Sequence, residues 1–195
     1  MPIHLLLQNI AKHIELNEEE TQYFSSLLIS KKLSRKTLLL SAGQDCRYLS
    51  YVHSGALRSY FVDKDSREST IMFAIADWWI TDMYCYLNNK PAMMYIEAIE
   101  DSTIFQISKV NFDQLLIKVP KFEKFFRILM QNAYTREQLR IMENLSSTAQ
   151  ERYESFLLKY PQIVKQVTQK QIASYLGITP EFLSTLKKPK TKNIS

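Results

Sequence analysis

With 195 residues, 46% of them hydrophobic and 12% aromatic, the chain has enough apolar surface for a packed core, which excludes wholesale disorder. Its three glycines (Gly43, Gly55 and Gly177) cannot build the phosphate-cradling loops of nucleotide-hydrolysing or dinucleotide-binding enzymes, and its two cysteines (Cys46 and Cys85) are too few for a disulfide scaffold or a four-cysteine iron–sulfur site. No apolar run approaches the roughly 20 residues of a membrane helix, and the start Met-Pro-Ile-His-Leu-Leu-Leu lacks the basic residues of a signal peptide, so a cytoplasmic protein without a membrane partner is expected.

Residues 3–29 have helical patterning. Asn17 followed by Glu18, Glu19 and Glu20 marks a helix start, because negative charge is favoured in a first turn. From about Lys32 to Ser108 the pattern turns short, β-rich and aromatic, with strands expected at Thr37–Leu40, Leu49–His53, Leu57–Val62, Thr70–Ala74, Met94–Ile99 and Thr103–Ile107. Turn signals such as Ala42-Gly43, Ser54-Gly55 and Asn88–Pro91 separate them, a rhythm that predicts an antiparallel roll or barrel. No serine, cysteine or histidine constellation suggests catalysis. His53 alone cannot supply the histidines and carboxylate of a metal-dependent oxygenase, so neither enzyme activity nor a metal is expected.

Helical patterning returns after Lys109. Asn111–Val119 reads as a short helix ended by Pro120, and a long one follows with Phe122, Phe125, Phe126, Leu129, Met130 and Ala133 on one stripe. That stripe either packs on the roll or forms a dimer seam. The seam is preferred, with Phe122, Phe126, Leu129, Met130 and Ala133 as the dimerisation residues. Ser147–Gln150 reads as a hinge, and Glu151–Tyr160, ended by Pro161, as a bracing helix.

Gln169 to Lys188 has the pattern of a helix-turn-helix. Ile172, Ala173 and Leu176 share one helix face, Gly177 stands at the turn, and Leu183 and Leu186 share a face of the second helix. Thr168 with Gln171 predicts a capping box, and Thr179-Pro180 an N-cap with proline at the first helical position. From Ser147 onward eight Lys and Arg face three Glu, so the whole net charge of +5 lies with this unit, as phosphate neutralisation requires. The expected DNA-reading surface comprises Gln169, Thr179, Pro180, Glu181, Ser184, Thr185, Lys187 and Lys188. Glu181 suits cytosine N4, Ser184 and Thr185 suit either base type, and Gln169, Lys187 and Lys188 suit phosphates.

This order of parts is similar to that of the cyclic-AMP receptor protein/Fnr (Crp/Fnr) family over about residues 5 to 190. The likeness is carried by Ser54-Gly55 with Arg58, by Glu151-Arg152-Tyr153 with Phe156-Leu157, and by Gln171-Ile172-Ala173-Ser174-Tyr175-Leu176-Gly177-Ile178-Thr179-Pro180-Glu181. The resemblance implies an α+β chain with an N-terminal antiparallel β-roll sensor over 1–120, a long dimerisation helix over 121–146 and a helix-turn-helix domain over 147–195. It also implies a homodimeric transcription regulator on a roughly palindromic double-stranded DNA site, with RNA polymerase as a further candidate partner.

The family's cyclic-AMP chemistry is not expected to carry over. Where the family has glycine, glutamate and arginine, this chain has Trp78–Tyr84 and Lys90–Met94, with Asp82 as the carboxylate and Ala92 near the arginine position. No cofactor is expected, and the effector stays open. Trp79, Asp82, Tyr84, Met93 and Met94 form the candidate ligand pocket, although filling of the roll by the same aromatic cluster is the preferred reading. Thr185 stands where the family commonly has arginine, so strong guanine readout is not expected. After Pro189 the tail Lys190–Ser195 is too short for a β-wing. The alternative function is a ligand- or partner-binding roll with a degenerate helix-turn-helix.

Overall fold

Eight strands and eight helices run along residues 3–187, the part of the chain described in the computed structural model. Two helices come first, α1 (His4–Ala11) and α2 (Glu18–Ser26). The start of α2 is a full capping box: the Asn17 side chain accepts the Glu20 amide at 2.8 Å, and the Glu20 carboxylate accepts the Asn17 amide at 2.9 Å.

Strands β1 (Leu28–Leu33), β3 (Tyr48–Ser54), β6 (Trp78–Ile80) and β8 (Ser102–Ser108) form one antiparallel sheet in the order β1-β8-β3-β6. Strands β2 (Leu38–Leu40), β4 (Ala56–Val62), β5 (Glu68–Ile75) and β7 (Tyr95–Ala98) form the second, in the order β2-β7-β4-β5. The chain passes between the sheets at Ser54-Gly55. Gly55 has φ +84, and a Cβ there would stand 2.3 Å from the Ser102 hydroxyl, so both backbone conformation and space demand glycine.

Successive strand residues point to opposite faces, and in the first sheet both faces are covered. Val52 and Ile104 point inward with Leu33, Leu57, Ala74 and Ile96, filling the space between the sheets. Leu49, Tyr51, Phe105 and Ile107 point outward and are buried under α1, α2 and the helices that follow. In the second sheet the buried Arg58 guanidinium joins β4 to both neighbours, at 2.8 Å from Glu68 on β5 and 2.8 Å from Glu97 on β7.

The roll contains three elements that the sequence pattern does not announce: β1, β6 and α3 (Met83–Asn88). After it come α4 (Lys109–Lys118), α5 (Lys121–Ser146) and α6 (Ala149–Lys159). Helix α4 begins earlier than its apolar spacing suggests because the Ser108 hydroxyl caps it, accepting the Asn111 amide at 3.1 Å. Instead of an extended hinge at 147–150, only Ser147 and Thr148 separate α5 from α6, because Thr148 and Glu151 form another capping box.

The long helix corrects the expected dimer seam. Phe122 and Phe126 are 0% and 5% exposed, packed in this chain's own core against Phe24, Phe112 and Trp79. Leu129 is half-buried against the same core. The apolar side chains that α5 leaves exposed are Met130, Tyr134, Leu139, Ile141, Met142 and Leu145, mostly further along the helix.

Burial raises the hydroxyl pKa of Tyr51, Tyr86 and Tyr160 well above the usual tyrosine range, aided at Tyr51 by the Asp77 carboxylate at 2.7 Å. The folded state therefore keeps these protons while the unfolded state releases them. Stability should be full below about pH 10 and then fall by about 4 kcal/mol per pH unit where all three ionise only on unfolding. Urea midpoints measured across that range should drop in the native protein and stay flatter in the triple Tyr→Phe variant; equal slopes would disprove this origin.

Candidate nucleic-acid interface and ligand site

Helix α7 (Gln169–Leu176) starts at a reciprocal cap, in which the Thr168 hydroxyl accepts the Gln171 amide and the Gln171 side chain accepts the Thr168 amide at 2.9 Å. It ends at Gly177, whose φ of +68 lets Ile178 N donate back to the Ala173 carbonyl at 3.0 Å. Helix α8 (Pro180–Leu186) follows at once, with the Thr179 hydroxyl accepting the Phe182 amide at 3.2 Å. Ile172, Ala173, Leu176 and Leu183 are buried and Leu186 half-buried, which fixes the angle between the two helices.

The same register leaves Glu181, Ser184 and Thr185 exposed on α8 and Lys187 exposed at its C-cap, with Thr179 at its N-cap and Gln169 at the start of α7 also exposed and Pro180 half-buried. Lys188 and the polar tail lie outside the described residues. Phe182 joins this surface at 48% exposure. Sequence reasoning passed over it because a phenylalanine beside buried Leu183 reads as core, yet an aromatic side chain on an outward helix face suits a thymine methyl. Thr185 donates its hydroxyl hydrogen to the Phe182 carbonyl at 2.7 Å, leaving its methyl and an acceptor lone pair for a partner. The Lys187 ammonium lies 5.8 Å from the Tyr153 ring centre on α6.

The helix-turn-helix is seated on the roll through one aromatic joint. Phe73 of β5 meets Phe156 and Tyr160 edge-on and Tyr175 at a tilt, with ring centres 5.4–5.9 Å apart. The Ser174 hydroxyl of α7 extends the hydrogen bonding of β5, donating to the Glu68 carbonyl at 2.7 Å and accepting the Thr70 amide at 2.8 Å. Helix α5 reaches the same place. Arg140 donates to the Ile71 carbonyl and lies over Tyr175 at 5.3 Å, and Arg136 lies over Trp78 at 4.5 Å.

The five candidate pocket residues do not converge. Asp82 is fully buried as the cap of α3, one carboxylate oxygen accepting the Cys85 amide and the other the Met93 and Met94 amides at 2.8 and 3.1 Å. With both oxygens engaged by backbone, it has no face for a sugar. The short helix that it caps turns Tyr84 outward; Tyr84 and Met93 are exposed and Met94 half-buried. Ala92 is buried with its backbone paired to Gly43 and Gln44, so the position near the family's arginine offers only a methyl group. Trp79 lies elsewhere, lining a largely apolar cleft of about 400 Å³ between β5, β6 and α5, together with Met83, Leu129, Met130 and Ala133.

Asp82→Ala should remove a helix cap and leave the part-buried Met93 and Met94 amides without their acceptor, at a cost of about 2–4 kcal/mol. Asp82→Asn should retain part of this. Equal urea midpoints for Asp82→Ala and the native protein would refute the capping role.

Among the described residues no group of three or more His, Cys, Asp or Glu side chains converges as a metal site, and no helix is long and apolar enough to cross a membrane. Residues 30–118 match the family described as the cyclic nucleotide-binding domain. The chain is 26% identical over 183 residues to the fumarate and nitrate reduction regulatory protein of Vibrio cholerae, an alignment covering 88% of this chain and 72% of that protein. Among solved structures it is similar to a transcriptional regulator of the Crp/Fnr family from Eubacterium rectale (TM-score 0.72, 22% identity, covering 88% of this chain and 82% of the other). It is also similar to FixK2 from Bradyrhizobium japonicum (TM-score 0.67, 22% identity, covering 82% of each). A roll with the cyclic nucleotide-binding fold, a long helix after it, a capped helix-turn-helix and relatives aligned along most of the chain agree: the chain carries a cyclic nucleotide-binding domain and is similar along most of its length to transcription regulators of the Crp/Fnr family.

Proposed function

We propose that this protein is a cytoplasmic, non-enzymatic regulator that binds double-stranded DNA as a homodimer, with α8 as the helix that enters the major groove. The observation that carries the reading is the outer face of α8. Both starts of the helix-turn-helix are capped and its apolar face is closed, so Glu181, Phe182, Ser184 and Thr185 are presented on a rigid unit, in the part of the sequence from Ser147 onward that carries the whole excess positive charge. Gln169, Lys187 and Lys188 are assigned to phosphates, and RNA polymerase is the further partner of a regulator of this type.

The dimer seam is assigned to Met130, Tyr134, Ile141 and Leu145 of α5. They are exposed and follow one another in steps of four, seven and four, the spacing of a helix pair. The effector is not a cyclic nucleotide in this reading, because Asp82 is engaged by backbone and Ala92 supplies no cation; no cofactor is assigned. An apolar or aromatic effector in the cleft beside Trp79 would push on β5, β6 and α5, the elements that also hold the helix-turn-helix.

The test is binding of the purified protein to its own upstream DNA and to unrelated DNA at two salt concentrations. Preference for the upstream fragment, weakened steeply by salt, is expected. Equal, weak binding to both fragments would refute the reading. Exchange of both Ser184 and Thr185 for glutamate should remove the preference through charge repulsion by the phosphates.

A further inference from the structure

Cys46 and Cys85 stand 39 residues apart in the sequence and come together at one cleft. The Cys85 thiol, on α3, is buried; it accepts the Cys46 backbone amide at 3.2 Å and donates to the Lys90 carbonyl at 2.6 Å. The Cys46 thiol, just before β3, is half-exposed, 3.1 Å from the Thr81 hydroxyl and 3.6 Å from the Asp82 carbonyl. A sulfur 3.2 Å from a residue's amide nitrogen is within reach of that residue's own side chain, the close approach of two cysteines that a disulfide requires.

Both cysteines also line an open cleft of about 410 Å³, which gives a small reagent access from solvent. The environments of the two thiols differ in a useful way. Burial first, and the Cys46 thiol next, push the Cys85 thiol up to about 11, so it stays protonated and is a poor target for an oxidant in solution. Cys46 is the one that solvent reaches.

We propose that Cys46 and Cys85 form a reversible intramolecular disulfide in response to hydrogen peroxide. In the first step the Cys46 sulfur attacks one peroxide oxygen, the O–O bond breaks, Cys46 becomes a sulfenic acid and one water leaves. In the second step the Cys85 sulfur attacks the Cys46 sulfur, the S–O bond breaks, and the departing hydroxide takes the Cys85 proton to leave as a second water. The two cysteines are oxidised by two electrons together and the peroxide is reduced to two waters.

The bond would tie the start of β3 to α3 and would withdraw the Cys85 S–H donor from the Lys90 carbonyl. Its effect can reach α5 through packed rings. Tyr86, beside Cys85, lies 6.0 Å from Phe112, and Phe112 lies 4.6 Å from Phe126 of α5.

The experiment uses the full chain, reduced and then treated with hydrogen peroxide, followed by alkylation, intact mass measurement and peptide mapping without reductant. The expected result is loss of both free thiols, a mass lower by two hydrogens, a cross-linked Cys46–Cys85 peptide pair and full reversal by dithiothreitol. Retention of both thiols, stable oxygen additions, or disulfides between chains would overturn the proposal. The order of steps has its own test. Cys85→Ser and Cys85→Ala should each accumulate a Cys46 sulfenic acid that dimedone traps, whereas native protein should not; no adduct in either variant would overturn the assignment of Cys46 as the residue attacked.

Discussion

Tyr160→Ala is expected to be among the most destabilising single substitutions in the chain, at about 3–5 kcal/mol, and to loosen the helix-turn-helix from the roll. The ring is 1% exposed and touches four elements: Phe73 on β5, Trp78 on β6, Phe156 on α6 and Tyr175 on α7, with ring centres 5.3–6.1 Å apart. Truncation leaves a cavity inside the buried cluster that joins Ala56, Phe73 and Ile99 of the roll to Phe156, Ile172 and Leu176, so relaxation on one side cannot close it. Tyr160→Phe keeps every ring contact and should cost under about 1.5 kcal/mol, the worth of a hydrogen bond. Urea unfolding measures the cost, and proteolysis of residues 161–168 reports the loosening. An unfolding midpoint unchanged in Tyr160→Ala would show that the joint contributes nothing. The joint also gives the signal a route, because Arg136 and Arg140 of α5 contact Trp78 and Tyr175. A shift of α5 against the roll must therefore disturb the seat of the DNA-reading unit.

The elements legible in the sequence are those defined by chemistry local to their ends. Asn17 with Glu20, Thr168 with Gln171 and Thr179 with Pro180 each complete a cap within a few residues, so the helix starts follow from composition alone. Strands β3, β4, β5 and β8 have apolar residues enough on buried faces to show. Strand β1 does not: Leu-Ile-Ser-Lys-Lys-Leu is apolar at its ends and exposed between them, as an edge strand beside β8 alone can be. Strand β6 has three residues and α3 six, too few for any period to register.

Of the candidate ligand site, Asp82 was visible as a carboxylate, but its hydrogen bonds to residues 93 and 94 depend on how the loop returns. Periodicity likewise finds the stripe on α5 without saying what covers it. At 26 residues the helix is about 39 Å long. Its first turns, with Phe122, Phe125 and Phe126, meet the core of the roll, and only the part beyond is left for a second chain. The boundary between those two roles is set by where the roll ends in space.

That division decides which substitution tests the dimer. Leu129→Asp would place a charge against the protomer's own core and confuse unfolding with dissociation. Ile141→Asp with Leu145→Asp avoids this, since both side chains are exposed in the single chain, 57% and 84%. The double variant should keep the urea profile of an intact roll while sedimenting as a monomer, because two unpaired carboxylates cannot be buried in a helix seam without losing several kcal/mol. The loss should be larger on DNA. A dimer delivers its second recognition helix at a high effective concentration, and a monomer forfeits that advantage, about 10²–10⁴ in affinity. Half the phosphate contacts are lost as well, so the dependence of log affinity on log salt should fall to about half its slope. A double variant that stays dimeric would place the seam elsewhere. A monomer that binds upstream DNA with undiminished affinity would show that one helix-turn-helix suffices.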